Sequence, residues 1–308
     1  MNITSRYMSN NSFSVDFIGI GAMKAASEWI LSCLNEHPEI CATSYKEINF
    51  FNKSYNYKKG LGYYYTFFKH CPNNKIKGEY TPSYMLSPQV AQLIRKNFPD
   101  VKIIACLRNP VDRAYSDYRY NIQWNGRFKI FNDFEDTMKN DLDFVERGFY
   151  YKQLKNYFEI FPREQILILF FEDLKKNPRD FIQKIYEFLG VKNTNFIPSQ
   201  VNQRRNITGQ YIVKNKIPII NRIIYWIYFK LENLQMMRDI IEKSNIEGLF
   251  TNLMNFNKKR IRTRNIDVLT IEPLNKETRD YLLNTIYKDD MRKLESLLDV
   301  DLSFWKKQ

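Results

Sequence analysis

Histidine is almost missing from this chain: 308 residues carry only His37 and His70. Two scattered imidazoles argue against a histidine metal site and against a histidine general base. Cysteine is scarce as well. Cys33, Cys41, Cys71 and Cys106 form no CxxC pair and no zinc spacing. The pattern is read as four thiols in a reduced, cytoplasmic protein, with Cys106 buried in the apolar run VKIIACL. No run of 18 apolar residues occurs, so a transmembrane helix is not expected. The most apolar late segment, IPIINRIIYWIYFKL (Ile217 to Leu231), is broken by Arg222 and reads as an interfacial or packing helix. The opening MNITSRYMSNNSFSV is polar and lacks a signal-peptide core. Acidic residues are outnumbered, 34 against 47 Lys and Arg, for a net charge of +13. Such an excess suits an anionic sugar, a nucleotide, a nucleic acid or a membrane surface. It is also what a coat of solvated lysines gives.

The stretch on which the rest is organised is DFIGIGAMKAASEW, Asp16 to Trp29. Val15, Phe17, Ile18 and Ile20 supply a short buried strand. Gly19 and Gly21 are expected to let the backbone turn sharply and approach a ligand. Lys24 sits in the turn, and Ala25, Ala26 and Ser27 carry little bulk, so backbone N–H groups can converge on one anion. A helix over Ala26 to Asn35 brings its positive end to the same place. The nucleotide-triphosphatase loop needs a hydroxyl directly after its lysine to hold Mg²⁺. Here Ala25 and Ala26 intervene, so the turn suits phosphate-like oxygens and offers no metal position. The plainer alternative is an ordinary strand–helix turn with a surface lysine.

Further along, Ile40 to Thr43 reads as a second strand, and Lys46-Glu47 precedes the pair Phe50-Phe51. A carboxylate beside packed aromatics can gain a raised pKa and act as a base. A surface glutamate is the alternative. Residues 57 to 70 read as one helix with an aromatic face, Lys75 to Met85 as a strand entering a proline turn, and Ser87 to Phe98 as a helix with Ser87 as N-cap. Val101 to Leu107 is a continuous apolar strand of the kind buried in parallel sheets. Arg108 stands at its carboxyl end. Asn109-Pro110 then opens a helix with Asp112, Arg113, Ser116 and Tyr120. Arg108 and Ser116 can meet one phosphate; otherwise Arg108 caps a helix or pairs with Asp112. Gln165 to Leu174 reads as a third buried strand ending in an acidic turn, Pro178 to Leu189 as an amphipathic helix closed by Gly190, and Val201 to Gly209 as a basic loop. Residues 210 to 265 read as a basic helical insertion. A last amphipathic helix runs from Glu272 to Trp305, with Leu282, Leu283, Ile286, Tyr287, Met291, Leu294 and Leu297 at helical spacing. Alternating strands and helices imply an α/β fold: a P-loop-like parallel sheet with helices on both faces, in a single domain over 1–308.

Four of these pieces, in order, resemble the sulfotransferases that use 3′-phosphoadenosine 5′-phosphosulfate, in the branch of bacterial and heparan-sulfate-type carbohydrate enzymes. GIGAMKAASEWI is similar to that family's 5′-phosphosulfate loop, KEINFF to the segment with its acidic base, and LRNPVDRAYSDY to its 3′-phosphate motif. The ending from Pro273-Leu274 to Trp305 also matches. The resemblance implies that Lys24 contacts the phosphosulfate bridge and that the N–H groups of Ala25, Ala26, Ser27 and Glu28, with the Ser27 hydroxyl, hold the 5′-phosphate. Arg108 and Ser116 are implied to hold the 3′-phosphate, Arg204 or Arg205 to complete that site, and Glu47 to take the proton from an acceptor hydroxyl or amine. It implies a carbohydrate or glycolipid acceptor, no metal, and no nucleic acid partner. Two departures stand out. Ala26-Ser27 replaces the usual Gly-Thr, and GEYTP places Tyr80 where heparan-sulfate-type relatives often carry a lysine. The competing readings are a Mg²⁺-dependent P-loop phosphotransferase, for which the GK[ST] pair is lacking, and a basic module that binds polyanions or sits peripherally on the inner face of a membrane.

Overall fold

The computed structural model describes residues 14–43, 47–122, 133–203, 211–215, 223, 227, 258–262 and 273–306. In chain order the main elements are β1 (Phe17–Gly21), α1 (Ser27–Glu36), β2 (Ile40–Ala42), β3 (Ile76–Tyr80), α2 (Pro88–Asn97), β4 (Lys102–Leu107), α3 (Pro110–Tyr120) and α4 (Tyr150–Ile160). There follow β5 (Ile166–Phe170), α5 (Phe171–Lys176), α6 (Pro178–Leu189), β6 (Tyr211–Asn215), β7 (Lys258–Arg262), α7 (Lys276–Tyr281) and α8 (Lys288–Leu298). Contacts divide the chain into two compact units. The first joins Met1–Arg108 to Tyr151–Arg205, the second Asn109–Tyr150 to Asn206–Gln308.

The first unit is built on a five-stranded sheet in the order β2-β3-β1-β4-β5. Every pairing is parallel. The central strands are the most apolar, since in a parallel sheet flanked by helices both faces leave water. All five residues of β1 are buried, and so is β4 after Lys102. The edge strand β5 keeps three half-exposed residues. Glycines face aromatics across the ladder. Gly78 stands opposite Phe17 and Gly19 opposite Tyr80. A Cβ on Gly78 would lie 2.3 Å from the Phe17 ring, and one on Gly19 2.1 Å from the Tyr80 ring. The helix α6 shows how local chemistry fixes an element. The Asn177 side chain accepts from the N–H groups of Arg179 and Asp180, Pro178 opens the first turn, and Gly190 closes the helix at φ 80. Phe181, Ile182, Ile185, Tyr186 and Leu189 form its buried face, each contributing about 1.5–3 kcal/mol by leaving water. His37, also buried, accepts from the Glu39 N–H at Nδ1, so its Nε2 proton is directed to the Asn193 carbonyl, 2.9 Å away. It is a structural residue.

Three expectations in this unit are corrected. The stretch 57–70 is not one helix. It breaks into Ser54–Tyr57, Gly60–Tyr65 and Thr66–Phe68, because Gly60 takes a left-handed φ of 76, and only Tyr64 and Phe68 of its aromatic face are buried. After β5 the chain enters the helix α5 instead of an acidic turn. Most consequentially, Cys41 and Cys71 are joined in a disulfide, with Cα atoms 5.6 Å apart. The edge strand β2 lays Cys41 beside the turn after Phe68, a proximity that no local spacing encodes. The expectation of four thiols gives way to two buried ones, Cys33 and Cys106, and the cysteine argument for a reduced compartment goes with it.

In the second unit Asn109 caps α3, accepting from the N–H groups of Val111 and Asp112, while its amide donates to the Trp305 carbonyl at 2.7 Å. Arg113 is wholly buried, and its Nη1 and Nη2 donate to Asp117 and to the Phe144 carbonyl. Asp112 pairs with Arg279 at 2.7 Å. The C-terminal segment is helical from Lys276, through a wide turn at Leu282–Ile286, to Leu298. Its buried ridge is Leu282, Leu283, Tyr287, Met291, Leu294 and Leu298. The wide turn shifts the face, so Leu298 is buried where Leu297 is expected, and Ile286 is only partly covered. The expected helical insertion over 210–265 is helical at the described positions 223 and 227 and is corrected near its two ends. Its two ends are strands, β6 and β7, paired antiparallel with Tyr211 opposite Arg262 and Asn215 opposite Lys258.

Candidate active site

Because all five strands run parallel, their carboxyl ends share one edge of the sheet, where ligands of such folds bind. Three sequence-predicted positions follow strands at that edge: Lys24 after β1, Arg108 after β4 and Glu47 after β2. The turn after β1 is held from two sides. The Ala22 N–H donates to the Cys106 carbonyl at 2.8 Å, and the Tyr80 hydroxyl donates to the Gly21 carbonyl at 2.5 Å. Lys24 and Ala26 then take φ 66 and 65. Left-handed conformations in residues with a Cβ cost on the order of 1 kcal/mol or more and persist where the surroundings impose them. Arg108 is part of those surroundings. Its Nη1 donates to the Lys24 carbonyl at 3.2 Å, and its guanidinium lies 4.7 Å from the centre of the Phe171 ring.

This geometry reassigns the glycines. The turn relies on Lys24 and Ala26, not on Gly19 and Gly21, for its left-handed residues. Gly19 makes room for the Tyr80 ring, and Gly21 for Met85, whose sulfur would lie 2.8 Å from an added Cβ. Tyr80 therefore fills space beneath the loop, and burial pushes its hydroxyl far above the ordinary range, so it stays a donor. The helix α1 begins at Ser27 with Ala26 at its N-cap. An alanine has no side chain with which to cap, and a helix N-terminus is where backbone N–H groups meet anions. Ala25 is fully buried. The structure brings Lys24, Ala25, Ala26, Ser27, Glu28 and Arg108 together. Ser116 lies midway along α3, half-exposed, in the second unit. Arg204 and Arg205 lie outside the described residues.

Glu47 is half-buried, with φ 60, and Asn49 follows at φ 52. Polar side chains hold this turn. The Asn49 amide donates to the Glu47 carbonyl at 2.9 Å, and its Oδ1 accepts from Asn52 and Ser83. Next to it lies a group that sequence reasoning missed. Glu79, in the middle of β3, is completely buried and accepts from the hydroxyls of Tyr64, Tyr84 and Thr81 at 3.0, 3.0 and 2.6 Å. Burial pushes its carboxyl up to about 7, against the pull of the three donors. Gly78 and Tyr80 on either side pack against β1, which puts Glu79 on the opposite face of β3. That alternation was the available signal.

The family model for the sulfotransferase domain matches residues 15–215. The membrane-associated sulfotransferase kil1 of Dictyostelium discoideum is 27% identical over 94% of this chain and 66% of its own length. Human heparan sulfate glucosamine 3-O-sulfotransferase 3B1 is 30% identical over 56% of this chain and 45% of its own. The chain thus spans about half to two thirds of the length of these relatives. A sulfotransferase from Alicyclobacillus acidocaldarius shares the fold, with a TM-score of 0.64 at 20% identity over 96% of this chain and 99% of that one. With its motif-bearing turn, its parallel sheet and a match across residues 15–215, the chain belongs to the sulfotransferase family.

Proposed function

We propose that this protein moves the sulfuryl group of 3′-phosphoadenosine 5′-phosphosulfate to a hydroxyl or amine of a carbohydrate or glycolipid. The observation that carries the reading is the Lys24 turn. It is an ammonium and the uncapped end of α1, fixed by Arg108 at the carboxyl edge of the sheet. Sulfuryl transfer is an in-line displacement in which negative charge grows on the departing phosphate, and fixed donors aimed at that charge lower the barrier. Lys24 and the N–H groups from Ala25 to Glu28, with the Ser27 hydroxyl, hold the 5′-phosphate side. Arg108 and Ser116, with Arg204 or Arg205, hold the 3′-phosphate. Glu47 takes the acceptor proton. The chain supplies charge stabilisation through cations and backbone amides, so the transfer proceeds without a metal. The heparan sulfate relatives support a carbohydrate acceptor. The name of the kil1 protein supports contact with a membrane surface; no helix among the described residues is long and apolar enough to cross one. The test is calorimetric titration of 3′,5′-ADP against 5′-AMP in EDTA. Tight binding of 3′,5′-ADP alone, lost in Arg108→Ala, is expected. Equal or absent binding of both nucleotides overturns the donor assignment and returns the phosphotransferase and polyanion readings.

A further inference from the structure

We propose that Glu79 is a positioning residue for Glu47, acting through the Tyr84 hydroxyl on the backbone of the turn that carries Glu47. This rests on the reading of Glu47 as the base. The turn needs outside support, because Glu47 and Asn49 both hold left-handed φ values, 60 and 52. Part of that support is its own polar lattice of Asn49, Asn52 and Asn56. The rest comes from the segment that follows Glu79. The Phe50 N–H donates to the Tyr84 hydroxyl at 2.9 Å, and Ser83 donates to Asn49 Oδ1 at 3.1 Å.

A tyrosine hydroxyl has one proton and two lone pairs. In Tyr84 the proton goes to Glu79 Oε1, which leaves the lone pairs for Phe50. Glu79 therefore sets the direction in which Tyr84 can act. Tyr64 donates to the same oxygen and stacks its ring 4.8 Å from Phe50 and 5.5 Å from Phe51. Both tyrosine hydroxyls are pushed far above their ordinary pKa by burial, so they remain donors throughout the working range. A carboxyl group without solvent is costly, and an apolar side chain of similar volume would pack there at least as well. What the apolar side chain lacks is an acceptor to orient two hydroxyls. That is the property the turn uses.

The test compares Tyr84→Phe, Glu79→Leu and Glu79→Gln, alone and with Glu47→Gln. Two readouts apply: hydrogen exchange over residues 47–52 in the ligand-free protein, and sulfuryl transfer from the phosphosulfate donor to heparan sulfate. Tyr84→Phe and Glu79→Leu are expected to speed exchange at Phe50 by about tenfold, the worth of one lost hydrogen bond. They are expected to lower kcat by about tenfold to a hundredfold through misplacement of the base, with the Kd of 3′,5′-ADP within a factor of two. The amide of Glu79→Gln keeps an oxygen towards both tyrosines and recovers most of kcat. None of the three lowers kcat further once Glu47 is Gln. Wild-type exchange at Phe50 in folded Tyr84→Phe or Glu79→Leu overturns the proposal, as does a full additional loss in the Glu47→Gln background. If Glu47→Gln itself turns over like the wild type, it is the base assignment that fails. The exchange readout needs no acceptor and stands apart from that result.

Discussion

At the scale of single residues, Lys24, Gly19 and Glu79 place three different demands on the chain. In the proposed reaction Lys24 acts by charge. Removing one such donor from a preorganised anionic site costs on the order of 10²–10³ in kcat, so Lys24→Ala is expected to keep its melting temperature and lose that much turnover with the phosphosulfate donor. Gly19 acts by absence. A methyl group there would meet the Tyr80 ring at 2.1 Å, where the ring is locked by its bond to the Gly21 carbonyl. Gly19→Ala is therefore expected to lose about 1–3 kcal/mol of stability by overpacking, read by urea denaturation. Glu79 acts by titration. Its carboxyl rises from 4.5 in the unfolded chain to about 7 in the folded one. Between those values the native state holds a proton that the unfolded state has released, so stability falls as pH rises through this window and is flat above it. Glu79→Gln carries no such slope. The stability of the wild type relative to Glu79→Gln is expected to fall by about 2–3 kcal/mol between pH 5 and pH 8. A constant difference in urea unfolding at the two pH values would contradict this.

At the scale of elements, the disulfide ties β2 to the turn after Phe68 across a sequence separation of 30 residues. Closing a loop of that length removes denatured-state entropy worth about 3–4 kcal/mol in the chain-entropy account. Reduction, or Cys41→Ser with Cys71→Ser, is expected to lower the melting temperature, and alkylation of the unreduced, unfolded protein to label only Cys33 and Cys106. The disulfide also marks where the sequence was silent. The strands β1 and β4 and the helices α2 and α6 were legible, because each carries its own apolar run or periodic face with its own start and stop residues. That Lys24 and Arg108 meet was legible for a related reason: each directly follows a buried strand of a parallel sheet, and topology brings such positions to one edge. Cys41 with Cys71, and Glu79 with Tyr64, are partners set by tertiary packing, and no local period announces them. The roles of Gly19 and Gly21 were misread for the same reason, since the space they vacate belongs to side chains about 60 residues away, Tyr80 and Met85. The ends of the 210–265 segment looked helical by composition and are strands, because pairing between β6 and β7 overrides local preference.

At the scale of the whole molecule, a net charge of +13 serves two readings that the site alone separates. A polyanion is drawn to such a protein over distances of about a Debye length, with an affinity that weakens as salt rises. A basic binding module shows this behaviour, and so does a transferase that recruits an anionic polysaccharide. The two differ in what the Lys24 turn is for. In the transferase, long-range charge gathers the acceptor while a turn fixed by Arg108 and Tyr80 does the chemistry, and the two properties are separable by mutation. Heparan sulfate immobilised on a sensor surface is expected to bind wild type and Lys24→Ala alike. For both, the affinity is expected to fall by about tenfold or more between low and moderately high salt. Only the wild type is expected to release 3′,5′-ADP when the phosphosulfate donor is added at low salt. If Lys24→Ala loses polysaccharide binding in step with turnover, the turn is itself part of the polyanion surface and the division of labour fails. If neither protein releases 3′,5′-ADP while both bind, charge is the whole of what the molecule offers heparan sulfate, and that polymer is not its acceptor.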